Sequence, residues 1–322
     1  MEEEELRNYI TAGEIAFKAK QYALKIVSPG KSLLSVADEI EKYILEWGAG
    51  LAFPVNVSVN QIAAHRTPLV DDEELIPENS VVKVDLGVHV HGYIADTALT
   101  VIFNEKYVKL GEAVKKALEK GLSEVKPGVR FTDAGRVIEK TIRVAGYKVI
   151  KNLTGHSLDR YQIHAGESIP NYKDPFNRGR FRKDKAYAME PFGTDGKGWI
   201  KEVHSSVQIY ALRKPISEEN FPSGLGDVEE EVLAHVIKEF RTLPFCERWL
   251  RPEIKKFGVN GVRNALNMLS GKGFLFKYPV LVEVGRGYVV QFEETFVVTD
   301  EGILITTNPE LNETIKNRRR TR

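Results

Sequence analysis

The chain is poor in cysteine. Cys246 is the only one among 322 residues, so no disulfide can form within the chain, and a reducing compartment fits. Long apolar runs are missing too. None approaches the roughly 20 residues that a membrane-spanning helix needs, so no membrane partner is expected. Neither sign of charge dominates. There are 46 Lys and Arg against 45 Asp and Glu, a formal net charge of +1, so the molecule as a whole carries no DNA-binding signal. The N-terminus, Glu2-Glu3-Glu4-Glu5, is acidic and unlike a secretory signal, so a cytoplasmic location is expected. Methionines are few and Glu and Lys abundant, a leaning towards a heat-adapted source. What is present suffices for a sizeable core: 42% of residues are hydrophobic, and the length suits one large domain or two.

Periodicity places the elements. Residues 3–25 and 33–47 repeat at helical spacing, with Pro29-Gly30 between them and Ser32 as a cap. A second helical pair covers 108–125 and 131–145, broken at Pro127-Gly128. Residues 81–90 and 93–101 alternate as strands, and His91-Gly92 between them suits a two-residue hairpin loop that needs positive φ. With that loop Val90 faces Tyr93, Asp85 faces Ala98 and Gly87 faces Asp96. Both Asp side chains then share one face as diagonal neighbours, about 7–8 Å apart, and Gly87 and Ala98 leave that face open. A later strand, 288–298, puts Gln291, Glu293 and Thr295 on one face and Val290, Phe292, Phe296 and Val298 on the other, before a turn into 303–306. A central acid in each hairpin suggests a pseudo-twofold arrangement.

Five residues read as one metal site: Asp85, Asp96, His156, Glu190 and Glu293. Four carboxylates cannot all ionise close together without cations. Hard oxygen donors with one imidazole suit a pair of divalent first-row ions better than a closed structural zinc. Such a pair can hold a hydroxide and polarise a carbonyl, the chemistry of a hydrolase. Each residue alone has a plainer reading: strand Asp are often solvated, and His65, His156 and His164 could each be structural. The glycine-rich run after Glu190 is not a phosphate loop, because it lacks the Lys-Ser/Thr end and no helix pattern follows.

Taken in order, these segments resemble the methionine aminopeptidases, in particular a short archaeal form of type 2. The resemblance rests on Ala52-Phe53-Pro54, residues 63–68, Asp85-Leu86-Gly87, Ile94-Ala95-Asp96-Thr97, Gly155-His156-Ser157, Ile163-His164-Ala165-Gly166, Glu190-Pro191-Phe192-Gly193 and Gln291-Phe292-Glu293, and it covers nearly the whole chain. The resemblance implies an α+β pita-bread fold, a pseudo-twofold central antiparallel sheet flanked by helices, as one catalytic domain over 1–322. It also implies a helix-rich type 2 insert over about 217–278, in which 228–243, 251–255 and 260–272 look helical. The implied activity is removal of N-terminal methionine from nascent polypeptides with a small second residue, using two divalent ions (Co, Mn, Fe or Zn). Asp96 and Glu293 would bridge the ions, Asp85 would chelate one, and His156 and Glu190 the other. Glu190 would also carry a proton, His164 would bind the oxyanion, and His65 would contact the amide nitrogen after the methionine. Phe53, Ile163, Phe192 and Tyr278 would line the methionine pocket.

Some positions depart from the family. Glu294 stands where relatives carry His; on the apolar face it needs a Lys or Arg partner or must stay partly protonated. Thr154 and Arg66 replace residues usual in the family. A partner-binding relative without catalysis would be expected to lack ligands, and all five are here. A proline-directed peptidase of this fold would be expected to carry a larger N-terminal domain than the roughly 80 residues before Asp85, by the domain sizes typical of such chains. A monomer is expected. At the C-terminus, residues 308–322 read as a short helix capped by Asn308, with Pro309 at its first position. It would end near Asn317 in a basic tail of Arg318, Arg319, Arg320 and Arg322. That tail is either solvated or a weak, salt-sensitive tether to ribosomal RNA.

Overall fold

The computed structural model describes residues 1–320, without the side chains of 218 and 316–320. The chain opens with α1 (Glu3–Ile26) and α2 (Leu33–Glu46). Glu3, Glu4 and Glu5 sit in the first turn of α1, where the helix dipole favours anions. The Ser32 hydroxyl accepts from the Ser35 N–H and caps α2 as expected. The apolar stripes of both helices, including Ala16, Ala19, Val36, Ile40 and Ile44, pack on the first sheet. The next strands are β1 (Gly50–Val59), β2 (Ile62–Ala64), β3 (Val81–Val90) and β4 (Tyr93–Ile102), and that first sheet runs β1-β3-β4. Its hairpin has the expected register: Val90 faces Tyr93, Asp85 faces Ala98 and Gly87 faces Asp96. His91 and Gly92 take φ values of 52° and 89°. The open face beside the two Asp is different. The Phe53 ring lies over Gly87 in the space a Cβ would need, so the glycine makes room for an aromatic wall.

The second half repeats the plan. Helices α3 (Val108–Glu124) and α4 (Phe131–Val144) precede β5 (Lys148–Val149), β6 (Thr154–Leu158), β7 (Ser168–Pro170), β8 (Ala186–Met189) and β9 (Phe192–Thr194). Leu110, Val114, Leu118, Ile138 and Ile142 bury against Tyr187, Met189 and Phe296. Then come β10 (Ile200–Leu212), α5 (Asp227–His235), β11 (Phe245–Cys246), α6 (Arg251–Gly271) and β12 (Leu275–Glu283), with a sheet in the order β11-β10-β12-β2. Within α6, Gly258 takes φ 73° and ψ 161°, so the helical stretches read at 251–255 and 260–272 are the two arms of a kinked element. This region has its own apolar cluster around Leu233, Val236, Phe245, Leu250 and Leu266.

The final hairpin is less regular than the alternation predicts. In place of one strand over 288–298 there are β13 (Val289–Gln291) and β14 (Glu294–Thr299), followed by β15 (Gly302–Ile305) and α7 (Pro309–Arg320). The break has a cause. β13 pairs with β9, β14 pairs with β8 and β15, and between them the Glu293 backbone turns to the other half. There Glu293 N–H donates to Ala98 C=O at 3.1 Å, and Ala98 N–H to Glu293 C=O at 3.4 Å. The strand pairs are antiparallel, in sheets ordered β13-β9-β5 and β15-β14-β8-β6-β7. This is the α+β pita-bread arrangement: two hairpin halves, each backed by a helix pair and joined at a central seam.

Glu294 finds its cation. Lys20 Nζ on α1 lies 2.6 Å from Glu294 Oε2, and both side chains are buried. Thr97 and Thr307 also donate to that oxygen, and the Asn308 amide donates to Oε1 at 2.9 Å. Asn308 thus spends its side-chain amide on Glu294. Helix α7 is longer than expected, and its first half is docked instead of frayed. Ile315 is buried, and the Asn312 side chain bonds both backbone groups of Ile305. The side chains of Arg318, Arg319 and Arg320, and all of Arg322, lie outside the described residues. Removing one partner of a buried ion pair strands the other, so Lys20→Met should cost about 3 kcal/mol of unfolding free energy in urea denaturation. A loss within ~0.5 kcal/mol, the range of an ordinary surface substitution, would show that the carboxylate needs no cation.

Candidate active site

The two halves meet along a seam of threonines. Thr295 Oγ1 accepts from Asp96 N–H at 2.8 Å and donates to Asp96 C=O at 2.7 Å. Thr97 Oγ1 donates to Glu293 C=O at 2.7 Å. Thr100 Oγ1 donates to Gln291 C=O and accepts from Gln291 N–H. β-Branched Thr suits a strand and carries a hydroxyl that bonds backbone groups the ladder leaves free. These links fix where Asp85, Asp96 and Glu293 enter the centre.

His156 on β6 and Glu190 after β8 complete the cluster from the other half. Asp96, His156 and Glu293 each bring a ligand atom within 4.8 Å of the others. His156 Nε2 lies 3.4 Å from Asp96 Oδ2 and 3.6 Å from Glu190 Oε1. Asp85 joins through Gln291, whose amide donates to Asp85 Oδ2 at 3.4 Å and to Glu293 Oε2 at 3.2 Å. The protein leaves Asp85 Oδ1, Asp96 Oδ1 and Glu293 Oε1 buried without a partner. Unpaired buried carboxylate oxygens are costly, and this donor set of hard oxygens and one imidazole fits divalent cations.

Protonation equilibria in the metal-free centre follow from burial and like charge. Burial raises the Asp85 carboxyl to about 7, opposed by the Gln291 hydrogen bond. Burial, and then Asp85, hold Asp96 well above the usual carboxylate range. Glu190 is raised by burial and then by Asp96 and Asp85, and Glu293 by burial and then by Asp96 and Glu190. His156 is pushed well down by burial first and His164 second. Such an ensemble of neutral acids and a neutral imidazole is one that cations would recharge.

A single cavity of about 370 Å³ opens over this cluster, and all eleven residues singled out from the sequence line it. Asp85, Asp96, His156, Glu190 and Glu293 form its floor. Phe53, Ile163 and Phe192 are buried in its wall. The Tyr278 ring lies edge-on to His65, with centroids 5.3 Å apart, and 6.3 Å from His164. His65 is half-buried with a left-handed backbone, φ 62°. Its imidazole is held down to about 4, by burial first and then by His164. His164 is exposed to the cleft, its ring 4.5 Å from that of His156. The lining also includes Asn56, Ile209 and Pro244, which the sequence reading did not single out. Asn56 arrives through the β1–β3 pairing opposite Asp85, and Pro244 from the segment before β11. Neither carries a local signal. Gln291 had one, since it shares the Glu293 face.

The model for Metallopeptidase family M24 matches residues 7–300. A methionine aminopeptidase of Saccharolobus solfataricus is 41% identical over 95% of this chain and 99% of its own length. Among solved structures, a thermophilic Arx1 superposes with a TM-score of 0.83 at 18% identity, over 95% of this chain and 91% of that one. A methionine aminopeptidase of Thermotoga maritima gives 0.67 at 22% identity, over 95% and 98%. At those identities the two structures speak for the fold.

The raised carboxyls set the pH dependence of the metal-free protein. Each binds its proton more tightly folded than unfolded, so its stabilising contribution is complete below about pH 4 and is lost as pH rises. For Asp85 the loss begins near the ordinary carboxylate range and is nearly complete at about 7; the carboxyls raised further extend it upward. The Tm of chelator-treated protein should therefore fall between about pH 5 and pH 8, and a saturating divalent ion should raise Tm more at the upper pH than at the lower. A metal-induced shift equal at both pH values would contradict this.

Proposed function

Since the chain belongs to metallopeptidase family M24, we propose that its buried acidic centre hydrolyses the amide bond after an N-terminal methionine. The observation that carries this reading is the cavity itself, in which unpaired carboxylate oxygens lie beneath an apolar, partly aromatic slot. Asp85, Asp96, His156, Glu190 and Glu293 would hold two divalent ions. When bound, such ions supply Lewis-acid polarisation and a nucleophile at neutral pH.

The remaining roles belong to the chain's own side chains. Glu190 accepts the proton of the attacking water and passes it to the leaving amine. His164, open to the cleft, donates a hydrogen bond to the oxyanion. His65 Nδ1 lies 3.2 Å from Pro279 C=O. A carbonyl accepts, so Nδ1 carries the proton, and the neutral ring leaves Nε2 as an acceptor for the N–H after the methionine. The methionine side chain, unbranched and polarisable, fits between Phe53, Ile163, Phe192 and Tyr278. His65 and Tyr278 crowd the exit and favour a small second residue.

The substrate is a polypeptide. Beyond the catalytic cavity a groove of about 590 Å³ continues past His65, His164 and Tyr278 to Leu281, Phe276 and Arg213, which suits a chain extending away from its N-terminus. We read the segment 217–278 as the insert of a type 2 enzyme; its Pro244 and Tyr278 line the slot. No helix among the described residues is long and apolar enough to cross a membrane. The proposed substrates are nascent chains, made in the cytoplasm, where the enzyme would act.

After metal loading, Met-Ala-Ser should be cleaved and Xaa-Pro peptides should not. Turnover of Xaa-Pro alone would overturn the specificity. Asp96→Ala or Glu293→Ala should abolish activity and lose at least one ion while the apo fold survives, because the deletion removes like-charge repulsion. Near-wild-type turnover with two ions still bound would refute the ligand set.

His65→Ala and His164→Ala should keep their metals and lose kcat by roughly 10²–10³. Metal loss in either variant, measured by elemental analysis, would mean that its role is misassigned.

A further inference from the structure

The loop that carries Ile163 and His164 leaves β6 after Leu158 and returns where Ala165 N–H donates to Ser157 C=O at 2.8 Å. Its central residue, Tyr161, has positive φ, 56°, and both of its backbone groups are pinned from outside the loop. On one side, Tyr161 N–H donates to Gly92 C=O at 2.8 Å, and Arg160 Nε donates to His91 C=O at 2.9 Å. That side is the turn of the β3–β4 hairpin. On the other, Thr242 Oγ1 donates to Tyr161 C=O at 2.6 Å.

Thr242 sits in an unusual corner. Helix α5 runs into a π turn over Val236–Phe240, closed by Arg241 N–H on Val236 C=O at 3.0 Å. Arg241 then takes φ 55° and ψ −119°, a backbone conformation that a residue with a Cβ adopts at a cost. Such strain persists only where neighbours over-determine it, and π turns recur at functional sites. The neighbours here belong to the active-site loop. The Arg241 guanidinium lies 4.5 Å from the centre of the Tyr161 ring. Leu243, next in sequence, is buried in one cluster with Phe53 and Ile163.

We infer that Thr242 and Arg241 are positioning residues for catalysis: the strained corner of the 217–278 segment holds the Tyr161 carbonyl and ring, and so sets where His164 and Ile163 stand. His164 follows Tyr161 by three residues and is exposed to the cleft, so the loop backbone is what orients it. An error of about 1 Å in such a group can cost on the order of 10²-fold in rate. The inference rests on the proposed role of His164.

The test is a double-mutant cycle on the metal-loaded enzyme with a Met-Ala-Ser peptide. Thr242→Val keeps the shape and removes the hydroxyl. It should lower kcat about 10-fold, with a smaller rise in KM and unchanged metal content, and Thr242→Ser should restore kcat. In a His164→Ala background the same substitution should lower kcat no further, while the small rise in KM that comes through Ile163 remains. Arg241→Gly, which relieves the corner, should lower kcat without lowering Tm. An equal loss from Thr242→Val in both backgrounds, or a fall in Tm and kcat together for Arg241→Gly, would mark a merely structural role and overturn the inference. If His164→Ala is impaired while Thr242→Val is not, the inference fails alone. If His164→Ala turns over normally, the reading of the site fails and takes the inference with it.

Discussion

The structure depends on four acidic side chains held together in a buried centre where they cannot all ionise unaided. Asp85, Asp96, Glu190 and Glu293 converge at the seam between two hairpins; burial drives all four carboxyls upward, and neighbouring carboxylates add to it at Asp96, Glu190 and Glu293. A flexible junction would let them separate. This one cannot, because Thr97, Thr100 and Thr295 stitch the backbone of one half to the other on either side of the Ala98–Glu293 contact. Behind the seam the fully buried Lys83 reaches the carbonyls of Asn60 and Val289, so β3 is tied to β13 as well. Held this close, the buried acids stay protonated on their own, and divalent cations would let them ionise.

The seam also explains why adjacent glutamates behave differently. Glu293 points into the cavity with an oxygen unpaired, whereas Glu294 turns to the opposite face, where Lys20, Thr97, Thr307 and Asn308 satisfy it. Thr97 serves both, bonding the Glu293 carbonyl and the Glu294 carboxylate. Through Glu294 the first and last helices are anchored to the start of β14, next to the ligand candidate Glu293. The Glu294 carboxylate is thus satisfied by a local ion pair on the face turned from the cavity.

The segment between β10 and β12 is bound to the rest by charge. Arg248 is buried and bonds Glu41, Asp38, Thr67 and the Pro68 carbonyl, while Glu247 and Asp71 share Arg263. Thr67 and Pro68 lie two and three residues after His65, so the same contacts that dock the segment also steady the chain that carries that imidazole. Breaking one partner of such a network is costly, because it leaves buried charge uncompensated.

Local order was legible from the residues alone. The parity that puts Asp85 and Asp96 on one face follows from a two-residue turn and a period of two, both set by covalent geometry. The helix pairs follow from apolar spacing with Ser32, Pro29-Gly30 and Pro127-Gly128 as punctuation. The candidate site was legible from the order of the segments that carry it, since Asp and Glu together number 45 and no one of them stands out alone. What the residues could not disclose depends on pieces far apart in the chain. The break at Phe292-Glu293 arises because three different partners compete for one strand. The choice of Lys20 for Glu294, the entry of Asn56 and Pro244 into the cavity, and the grip of Thr242 on Tyr161 were decided only by tertiary packing. These contacts join positions tens to hundreds of residues apart, and no local pattern of hydrophobicity or charge encodes which of many compatible groups will meet.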